Sequence, residues 1–417
     1  MKPEQPDDRP EVYAILRGKA GWTLNRRSLF SAAAAAAAAR SAQAAACASG
    51  AVSHLLGAGT LAASQDGRLL ASGDSGGVIK LWSMPDGALL KTIAGISLDR
   101  LYSVAMSPDG RLLAAASLSQ TPPQASYNGY IKLYSIPDGT LLRTLTGHTG
   151  VVATVFISPD GRLLYSGCTG DETIKVWSLP GGTLQRTLDG HQWPGVYSIA
   201  MSPDGTLLAS GCGAGTVQLW SLSNGALLGT LTGHSSGVNA VAVSPDGRIL
   251  ASGSVDKTVR LWSLPDGTPL GSLTGHSNRV GAVAISPDGR LLVSGSWDGA
   301  IKLWSLPDGA LLRTLNAGTD LVTSLIISPD GRLLTSGGGA RIRLWSLPDG
   351  KQLPVCLMDP AESTSSVGSI VYTMEGVTYT IPVGSPIPAG AICTCNAVYG
   401  SAGGGGGGGG GVYYYPN

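Results

Sequence analysis

Short runs of alternating hydrophobic and polar residues, separated by tight-turn sequences, follow one another along most of the chain. In one representative stretch the predicted strands are residues 238–243, 249–253, 258–262 and 269–273. The connections between them are Ser-Pro-Asp-Gly, a turn at Asp256 and Pro-Asp-Gly, in which Pro fixes φ and Asp-Gly accepts the dihedral angles of a tight turn. Period-two alternation with such turns predicts four short antiparallel strands.

The same order of strands and turns recurs seven times. Ser-Pro-Asp-Gly begins at Ser107, Ser158, Ser202, Ser244, Ser286 and Ser328, preceded by the degenerate Ser64-Gln65-Asp66-Gly67. An aromatic residue followed by Ser occurs at Trp82, Tyr134, Trp177, Trp220, Trp262, Trp304 and Trp345, with one step of 52 residues and five of 41 to 43. Four strands per period predict the blades of a β-propeller, and since a single blade cannot bury both of its faces, the blades must close a ring. The predicted fold class is all-β: a seven-bladed β-propeller of four-stranded antiparallel blades with a short C-terminal tail.

Composition and charge narrow both the fold and the function. The chain has 61 Gly and 25 Pro, which excludes a mainly helical protein, and 43% of it is apolar, which excludes a disordered one. Charged residues make up 13%, the formal net charge is +1, and no basic run occurs. A nearly neutral chain offers no electrostatic footprint for nucleic acid or an anionic membrane. We therefore expect neither as a partner.

The units resemble those of the WD-repeat β-propeller family over roughly residues 52–358. Gly-His precedes the first strand at His148, His191, His234 and His276, His54 lies at the equivalent position, and Trp-Ser stands where the family usually has Trp-Asp. The resemblance implies a buried hydrogen-bonded set of His, Ser, Asp and Trp in each complete blade. The matching residues are His148, Ser166, Asp171 and Trp177; His234, Ser252, Asp256 and Trp262; and His276, Ser294, Asp298 and Trp304.

The other blades depart from this pattern. Gly76 in blade 1 and Ala214 in blade 4 stand where the Asp is expected. Blade 2 has Tyr134 in place of Trp and Asn128 in place of Asp, and blades 2 and 7 lack the His. An incomplete buried polar set costs stability, whereas a satisfied one fixes geometry. We therefore expect blades 3, 5 and 6 to be the most rigid.

Recurring His, Ser and Asp also suggest a hydrolase, but these residues have structural roles in the repeat, and a nucleophilic Ser must be accessible beside its base. We predict no catalytic residue, no metal site and no cofactor. The glycines 403–411 lack the preceding strand and following helix of a phosphate-binding loop.

Cys168 and Cys212 are expected to be small buried hydrophobic residues. Three further cysteines are compatible with a disulfide, with part of a metal site or with neither: Cys356, Cys393 and Cys395.

The family resemblance places partner binding on the loops at one end of the ring, which we call the top face. Transferred to this chain, the partner-binding positions are Arg100, Tyr102, Tyr127, Trp193, Tyr197, Asn239, Val255, Arg279 and Trp297. Large aromatic residues and Arg are enriched in interface hot spots. Blade 2 also carries nine extra residues between Ser117 and Asn128. We predict a non-catalytic scaffold for unidentified protein partners; a small-ligand-binding or enzymatic propeller that uses the central mouth is the alternative.

An export signal is expected at the N-terminus. Arg26 and Arg27 precede Ser-Leu-Phe, an apolar alanine-rich stretch of 11 residues and a run of small residues, which together resemble a twin-arginine signal. Because a spanning helix needs ~20 apolar residues, we expect no transmembrane span. We expect the protein to be exported across the bacterial cytoplasmic membrane, to the periplasm, to the envelope surface or out of the cell. A cytosolic scaffold with a spurious leader is the alternative.

Cys47 directly follows the expected export signal. It stands where a bacterial lipoprotein carries its lipidated cysteine, although the residue three positions earlier is Ala44 rather than Leu. A lipid anchor at Cys47 and an unmodified Cys47 therefore both stay open.

The sequence divides into four parts: an export signal at 1–46, the propeller at 47–358, a small Cys-containing tail at 359–402 and a Gly-rich flexible C-terminus at 403–417. Within the tail, residues 369–374 and 377–383 alternate about Glu375-Gly376, which predicts a β-hairpin. Ring closure has two alternatives. Residues 351–357 form the outer strand of blade 7, which we favour, or residues 48–52 pair there.

Overall fold

The structure of the protein is a computed structural model. It describes residues 58–74, 76–84, 87–93, 100–118, 128–191, 195–318, 320–339, 341–353, 369–374 and 377–382. Several predicted features lie outside these ranges: the export signal with Arg26 and Arg27, Cys47, His54, Tyr127, Trp193, the tail cysteines and the Gly-rich C-terminus.

Blades 1 to 7 follow one another along the chain. The strands of blades 1 to 4 are β1 (Ala58–Ala63), β2 (Leu69–Asp74), β3 (Ile79–Ser83), β4 (Leu89–Ile93), β5 (Arg100–Met106), β6 (Leu112–Leu118), β7 (Gly129–Ser135), β8 (Leu141–Leu145), β9 (Val152–Ile157), β10 (Leu163–Cys168), β11 (Ile174–Ser178), β12 (Leu184–Leu188), β13 (Val196–Met201), β14 (Leu207–Cys212), β15 (Val217–Ser221) and β16 (Leu227–Leu231). Those of blades 5 to 7 are β17 (Val238–Val243), β18 (Ile249–Ser254), β19 (Val259–Ser263), β20 (Pro269–Leu273), β21 (Val280–Ile285), β22 (Leu291–Ser296), β23 (Ala300–Ser305), β24 (Leu311–Asn316), β25 (Ser324–Ile327), β26 (Leu333–Gly338) and β27 (Arg341–Ser346).

Blades 1 to 6 are four-stranded antiparallel sheets whose strands neighbour one another in chain order. The first strands, β1, β5, β9, β13, β17, β21 and β25, contact one another in succession, and β25 also contacts β1. These strands therefore surround the central channel, and the ring closes between blades 7 and 1. The predicted seven-bladed β-propeller is confirmed, and in blade 5 each strand lies within one residue of its predicted bounds.

Blade 7 has three strands and the beginning of an outer edge within the described residues. Gln352 forms an antiparallel bridge with Trp345, and the Leu353 N–H donates to the Leu344 carbonyl oxygen at 2.8 Å. The start of the segment 351–357 thus occupies the place of an outer strand. The remainder of that segment and residues 48–52 lie outside the described ranges.

The Ser-Pro-Asp-Gly turns are held by the same hydrogen bonds in every blade. In blade 5, Ser244 Oγ donates to Asp246 Oδ1 at 2.5 Å and accepts from the Ile249 N–H at 2.9 Å. Asp246 Oδ1 also accepts from the Arg248 N–H at 3.1 Å. Gly247 completes the turn with φ of 70°, a dihedral angle that favours Gly. The motif recurs because each of its polar residues closes the same turn.

The hydrophobic core lies between neighbouring blades. One cluster joins Leu261 and Leu273 of blade 5 to Val280 and Trp304 of blade 6. Full burial of such side chains stabilises the fold by roughly 1.5–3 kcal/mol each. The core therefore consists of the seams around the ring, and each blade depends on its neighbours for stability.

The outer strands are the least buried part of the propeller. Their exposed leucines are 44–59% accessible: Leu90, Leu141, Leu142, Leu184, Leu227, Leu228, Leu270, Leu311 and Leu312. Each described outer strand buries its last apolar residue, as Leu145 does in β8 and Leu231 does in β16. In β4, Leu89 is also partly buried. Hydrophobic side chains consequently surround the circumference of the ring.

The predicted hairpin is present in the tail as β28 (Ser369–Met374) paired antiparallel with β29 (Val377–Pro382). Among the described residues, no helix has the length and apolar character needed to cross a membrane.

Candidate functional site

The top face is built from two kinds of connection. The loop that enters the first strand of a blade and the turn that joins its second and third strands lie at the same end of the sheet, because consecutive strands are antiparallel. Function on a propeller resides in such loops, which the rigid strands position.

In blade 5 a chain of buried hydrogen bonds fixes this end of the sheet. The Trp262 indole N–H donates to Ser252 Oγ at 2.9 Å, and Ser252 Oγ lies 2.8 Å from His234 Nε2. His234 Nδ1 lies 2.8 Å from Asp256 Oδ2, which also accepts from the Ser235 N–H at 3.0 Å. Burial lowers the pKa of His234, so the ring is neutral at pH 7. A neutral ring that donates from Nδ1 to the carboxylate must accept at Nε2 from the Ser252 hydroxyl.

Blades 3 and 6 contain the same set. In blade 3, His148 lies 2.8 Å from both Asp171 Oδ2 and Ser166 Oγ, and Trp177 donates to Ser166 Oγ at 2.8 Å. The pKa of Asp171 lies well below its usual range, because hydrogen bonds from His148 and other donors outweigh the opposing effect of burial. In blade 6 the corresponding contacts are His276–Ser294 at 2.9 Å, His276–Asp298 at 3.2 Å and Trp304–Ser294 at 2.8 Å. Three entry loops are thus tied to their own turns.

Blade 4 satisfies its histidine differently. His191 Nε2 lies 2.8 Å from Ser210 Oγ, which accepts from the Trp220 indole N–H at 2.9 Å. With Ala214 in place of Asp, His191 Nδ1 instead donates to the backbone carbonyl oxygen of Glu172 in blade 3 at 3.1 Å. Burial without a carboxylate partner lowers the pKa of His191 to about 4. Sequence reasoning missed this contact.

Blades 1 and 7 retain only part of the set within the described residues. Trp82 donates to Ser72 Oγ at 2.8 Å, and Trp345 donates to Ser336 Oγ at 2.9 Å. In blade 1 a carboxylate comes from Asp74, two residues before Gly76, and its Oδ1 accepts from the Gly76 N–H at 2.9 Å. The turn is therefore closed although the expected Asp is missing.

Among the described residues, one cluster of metal-binding residue types was not singled out by sequence reasoning. The donor atoms of His148, Cys168 and Asp171 lie within 4.8 Å of one another. Both ring nitrogens of His148 are already hydrogen-bonded, and burial raises the pKa of the Cys168 thiol to about 11. Cys168 accepts from the Asp171 N–H at 3.5 Å, as Ser254 accepts from the Asp256 N–H in blade 5. The buried hydrogen bonds of the His, Ser, Asp and Trp set in blade 3 therefore explain why these three residues lie close together. Cys168 and Cys212 are both buried and free.

Three of the predicted partner-binding residues occupy equivalent positions on the first strands. Tyr102, Tyr197 and Asn239 follow directly after the buried hydrophobic residues of β5, β13 and β17. Tyr197 is 37% exposed, whereas Tyr102 and Asn239 are half-buried. Asn239 Nδ2 donates to the Val280 carbonyl oxygen at 3.0 Å, which joins blade 5 to blade 6. These side chains lie beside the upper mouth of the channel.

Arg279 and Trp297 form a pair on blade 6. The guanidinium carbon lies 4.2 Å from the indole ring centroid, and the Trp297 backbone N–H donates to the Arg279 carbonyl oxygen at 3.0 Å. Val255 makes the equivalent backbone contact to Gly237 at 2.8 Å in blade 5. Arg100 begins β5, and its side chain is not among those described. The structure therefore brings Arg279 and Trp297 together, a contact that the sequence did not predict.

Two charged turn residues on the top face adopt left-handed backbone conformations. Glu172 has φ of 59° and Lys257 has φ of 73°, at the turn position where other blades have Gly77, Gly215 and Gly299. Such a conformation costs a residue with a side chain roughly 1–3 kcal/mol. Aligning the turns of the repeats reveals both positions, which sequence reasoning passed over.

Clefts lie between blades at the opposite end, the bottom face. One of about 400 Å³ lies between blades 2 and 3 and is lined by Pro108, Arg111, Leu142 and Pro159 among other residues. A second of about 280 Å³ lies between Pro203 of blade 4 and Pro245 of blade 5. The turns that line them place no His or Cys beside their Asp residues.

Seven segments of the chain match the model of the family described as WD domain, G-beta repeat: residues 52–83, 87–135, 139–178, 182–221, 225–263, 267–305 and 309–346. The chain belongs to the WD-repeat family. These segments cover the seven blades of the propeller, so the family resemblance noted from the His and Trp motifs is confirmed.

Parts of this WD-repeat chain are similar to known proteins. It is 32% identical over 107 residues to apoptotic protease-activating factor 1 of Rattus norvegicus, a match that covers 24% of this chain and 8% of that protein. It is 37% identical over 115 residues to nuclear distribution protein PAC1 of Arthroderma benhamiae, covering 26% of this chain and 23% of that protein. The matched region thus spans less than a quarter of either relative.

Proposed function

We propose that the protein is a non-catalytic scaffold that binds a protein partner through its top face. The observation that carries the proposal is the top side of blades 4 to 6. There the exposed Tyr197 and the half-buried Arg279 and Trp297 lie on loops and strand ends held by buried hydrogen bonds. Aromatic and Arg side chains are the residues enriched in binding hot spots, and a rigid support lowers the entropy lost on binding.

The recurring Ser, His and Asp support this scaffold rather than hydrolysis. In blade 5 their order matches a nucleophile, a base and an orienting acid, yet Ser252 is 0% exposed. Its Oγ is already engaged by Trp262 and His234. A substrate carbonyl has no route to this hydroxyl without opening the blade, so its chemistry is structural.

The test compares two triple variants of the full chain in co-purification from the source organism after chemical cross-linking. One carries Tyr197→Ala, Arg279→Ala and Trp297→Ala; the control removes three exposed bottom-face arginines, Arg248, Arg290 and Arg332. We expect one protein to be cross-linked to the wild type and to the control but lost from the top-face variant. Equal recovery with all three would contradict the proposal. Loss only from the control would move binding to the bottom face.

We further propose that the propeller is exported after the N-terminal segment is recognised by a twin-arginine pathway. The support is the sequence alone: Arg26 and Arg27 before a short apolar stretch and a small-residue run. The test is subcellular fractionation with intact-mass measurement of the wild type and of an Arg26→Lys, Arg27→Lys variant. We expect cleavage after Ala44 or Ala46 in the wild type and an uncut cytoplasmic variant. An uncut cytoplasmic wild type would contradict export, and the same spectra report any lipid mass on Cys47.

A further inference from the structure

We infer that the partner of the top face presents a carboxylate, from an Asp or Glu side chain in an acidic segment, to Arg279 and Trp297. The inference rests on the proposed scaffold function and names the chemistry of the partner. The two side chains provide N–H donors, and the carboxylates around them are already hydrogen-bonded to other groups.

Arg279 has no ion-pair partner among the residues that the structure describes. Its guanidinium lies over the Trp297 ring at 4.2 Å, and no carboxylate among the described residues lies within ion-pair distance of it. Arg343, by contrast, pairs with Asp320 at 2.8 Å in blade 7. A guanidinium stacked on an aromatic ring keeps its planar N–H groups free for a carboxylate and loses little side-chain entropy on binding.

Trp297 offers a second donor beside it. The side chain is half-buried, and its indole lies against the backbone of Gly281, where an added Cβ would be 3.1 Å from Nε1. Among the described residues, the indole N–H makes no hydrogen bond. A Cβ at Gly281 would also lie 2.7 Å from the Val322 carbonyl oxygen, so a side chain at this position would crowd both that carbonyl and the indole at the rim of the channel.

The nearby carboxylates already accept hydrogen bonds within their own blades. Asp298 Oδ2 accepts from the Ser277 N–H and contacts His276, while its Oδ1 accepts from the Ala300 N–H at 2.8 Å. In blade 5, Asp256 is engaged in the same way by His234 and Thr258. Both carboxylates are thus hydrogen-bonded to donors of their own blades, so neither supplies an acceptor to the Arg279 guanidinium.

Lys257 is a second cation in this region. It is exposed on the turn of blade 5, in the strained conformation with φ of 73°. The equivalent turn residue of blade 4, Gly215, lies against the carbonyl oxygens of His234 and Ser236 in the next entry loop. By the repeat, Lys257 lies beside the entry loop that leads to Arg279. The Lys257 ammonium, the Arg279 guanidinium and the Trp297 indole N–H all donate hydrogen bonds. The partner group that complements them is an acceptor with two oxygens, such as a carboxylate.

The experiment uses a library of random dodecapeptides displayed on phage and selected against the immobilised full chain. The variants are Arg279→Gln, Trp297→Phe, which keeps the ring and removes the N–H, and Arg290→Gln, an exposed bottom-face Arg of the same blade, as the control. Each must unfold at the wild-type temperature. We expect selected peptides to carry Asp or Glu at one fixed position. Their dissociation constants should rise about tenfold in Arg279→Gln and about threefold in Trp297→Phe, and stay within about twofold in Arg290→Gln.

The pairing itself is tested with an altered peptide. Changing the fixed Asp to Asn should cost wild-type binding about tenfold and cost Arg279→Gln almost nothing further, because both changes remove the same contact. Additive losses would overturn the inference.

The remaining outcomes separate the inference from the proposed function. Selected peptides without an acidic residue, or binding that is unchanged in Arg279→Gln, would overturn the carboxylate inference alone if the same peptides still lose affinity in Tyr197→Ala. A selection that yields no peptide dependent on Tyr197, Arg279 or Trp297 would contradict both.

Discussion

His191 of blade 4 donates its Nδ1 hydrogen to the backbone carbonyl oxygen of Glu172 in blade 3, at an N–O distance of 3.1 Å. The histidines of blades 3, 5 and 6 instead contact an Asp of their own blade. The carbonyl of Glu172 lies in a turn in which Glu172 has φ of 59°, a conformation that blades 1, 4 and 6 give to Gly. The seam between blades 3 and 4 is therefore joined by a hydrogen bond that replaces a missing carboxylate.

This arrangement predicts a loss of stability in mild acid. The pKa of His191 is about 4 in the folded chain, against 6.5 ordinarily. Between these values the unfolded chain binds a proton that the folded chain does not, so the free energy of unfolding falls as pH decreases, by about 2 kcal/mol from pH 7 to pH 5. Ala214→Asp supplies the carboxylate, raises the pKa of His191 and should reduce that fall by about 1 kcal/mol.

The measurement is urea denaturation of both proteins at pH 7 and pH 5. His234 and His276, whose pKa values burial also lowers, add the same pH dependence to wild type and variant, so the difference between the two reports His191. Identical pH dependence in the two proteins would show that His191 does not titrate in this way.

Loss of one buried hydroxyl should destabilise a complete blade. Ser252→Ala leaves the Trp262 indole N–H and His234 Nε2 without their shared partner, because both contact Ser252 Oγ. An unsatisfied buried polar group costs ~1–3 kcal/mol, so we expect a loss of about 3 kcal/mol in the free energy of unfolding. Ser263→Ala is the control, since its hydroxyl bonds Asp266 on the surface, and it should cost at most about 0.5 kcal/mol. Similar losses in the two variants would argue against the buried set as a source of stability.

Substituting Ala for either of two glycines distinguishes the cost of backbone strain from the cost of steric crowding. Gly205 and Gly267 have φ of 69° and 72°, so Ala at either position carries a similar backbone cost of ~1–2 kcal/mol. A Cβ at Gly205 meets nothing within 4 Å, whereas a Cβ at Gly267 would lie 2.3 Å from Leu231 Cδ2 of the preceding blade. Thermal and denaturant unfolding should show Gly267→Ala less stable than Gly205→Ala by a further ~1–3 kcal/mol. Equal destabilisation would show that the seam between blades 4 and 5 accommodates the added methyl group with no loss in the free energy of unfolding.

The thiols of Cys168 and Cys212 should resist alkylation in the folded protein. Both side chains are fully buried, and burial raises each thiol pKa from 9.0 to about 11. The thiolate fraction at pH 8 is thereby about 100-fold lower than for an ordinary thiol, even before access is considered. Iodoacetamide labelling followed by peptide mass spectrometry should detect both only after urea is added. Rapid labelling of either residue without urea would disprove its burial.

The fold was accessible to sequence reasoning because its signals are local. Period-two alternation, Ser-Pro-Asp-Gly-type turns closed by their own side chains, and an aromatic residue at a nearly constant spacing identify each blade without reference to the rest of the chain. The sets of blades 3, 5 and 6 were expected from the resemblance to the WD-repeat family, whose His, Ser, Asp and Trp match these positions. Because the unit recurs seven times, the sequence also predicts the number and order of the blades, which a sequence without repeats does not give.

The remaining features depend on backbone geometry or on an absent side chain, which residue patterns do not encode. The contact of His191 with Glu172 uses a main-chain carbonyl in another blade. Asp74 closes its turn from two residues before the expected position. Arg279 and Trp297 were each assigned to the top face, yet their stacking, and the close approach of the indole to Gly281, are not encoded in the residue pattern.

The outer strands determine how the protein behaves when it is concentrated. An exposed strand edge beside hydrophobic side chains is a template for pairing between molecules, and a central charge protects it. Four outer strands carry that charge at their third residue: Lys91, Arg143, Arg186 and Arg313. β20 has Gly271 there, but Pro269 removes one of its N–H donors. β16 has Gly229, no Pro, and Leu227 and Leu228 exposed. Among the described outer strands it is the least protected, so aggregation of the folded protein should begin at blade 4.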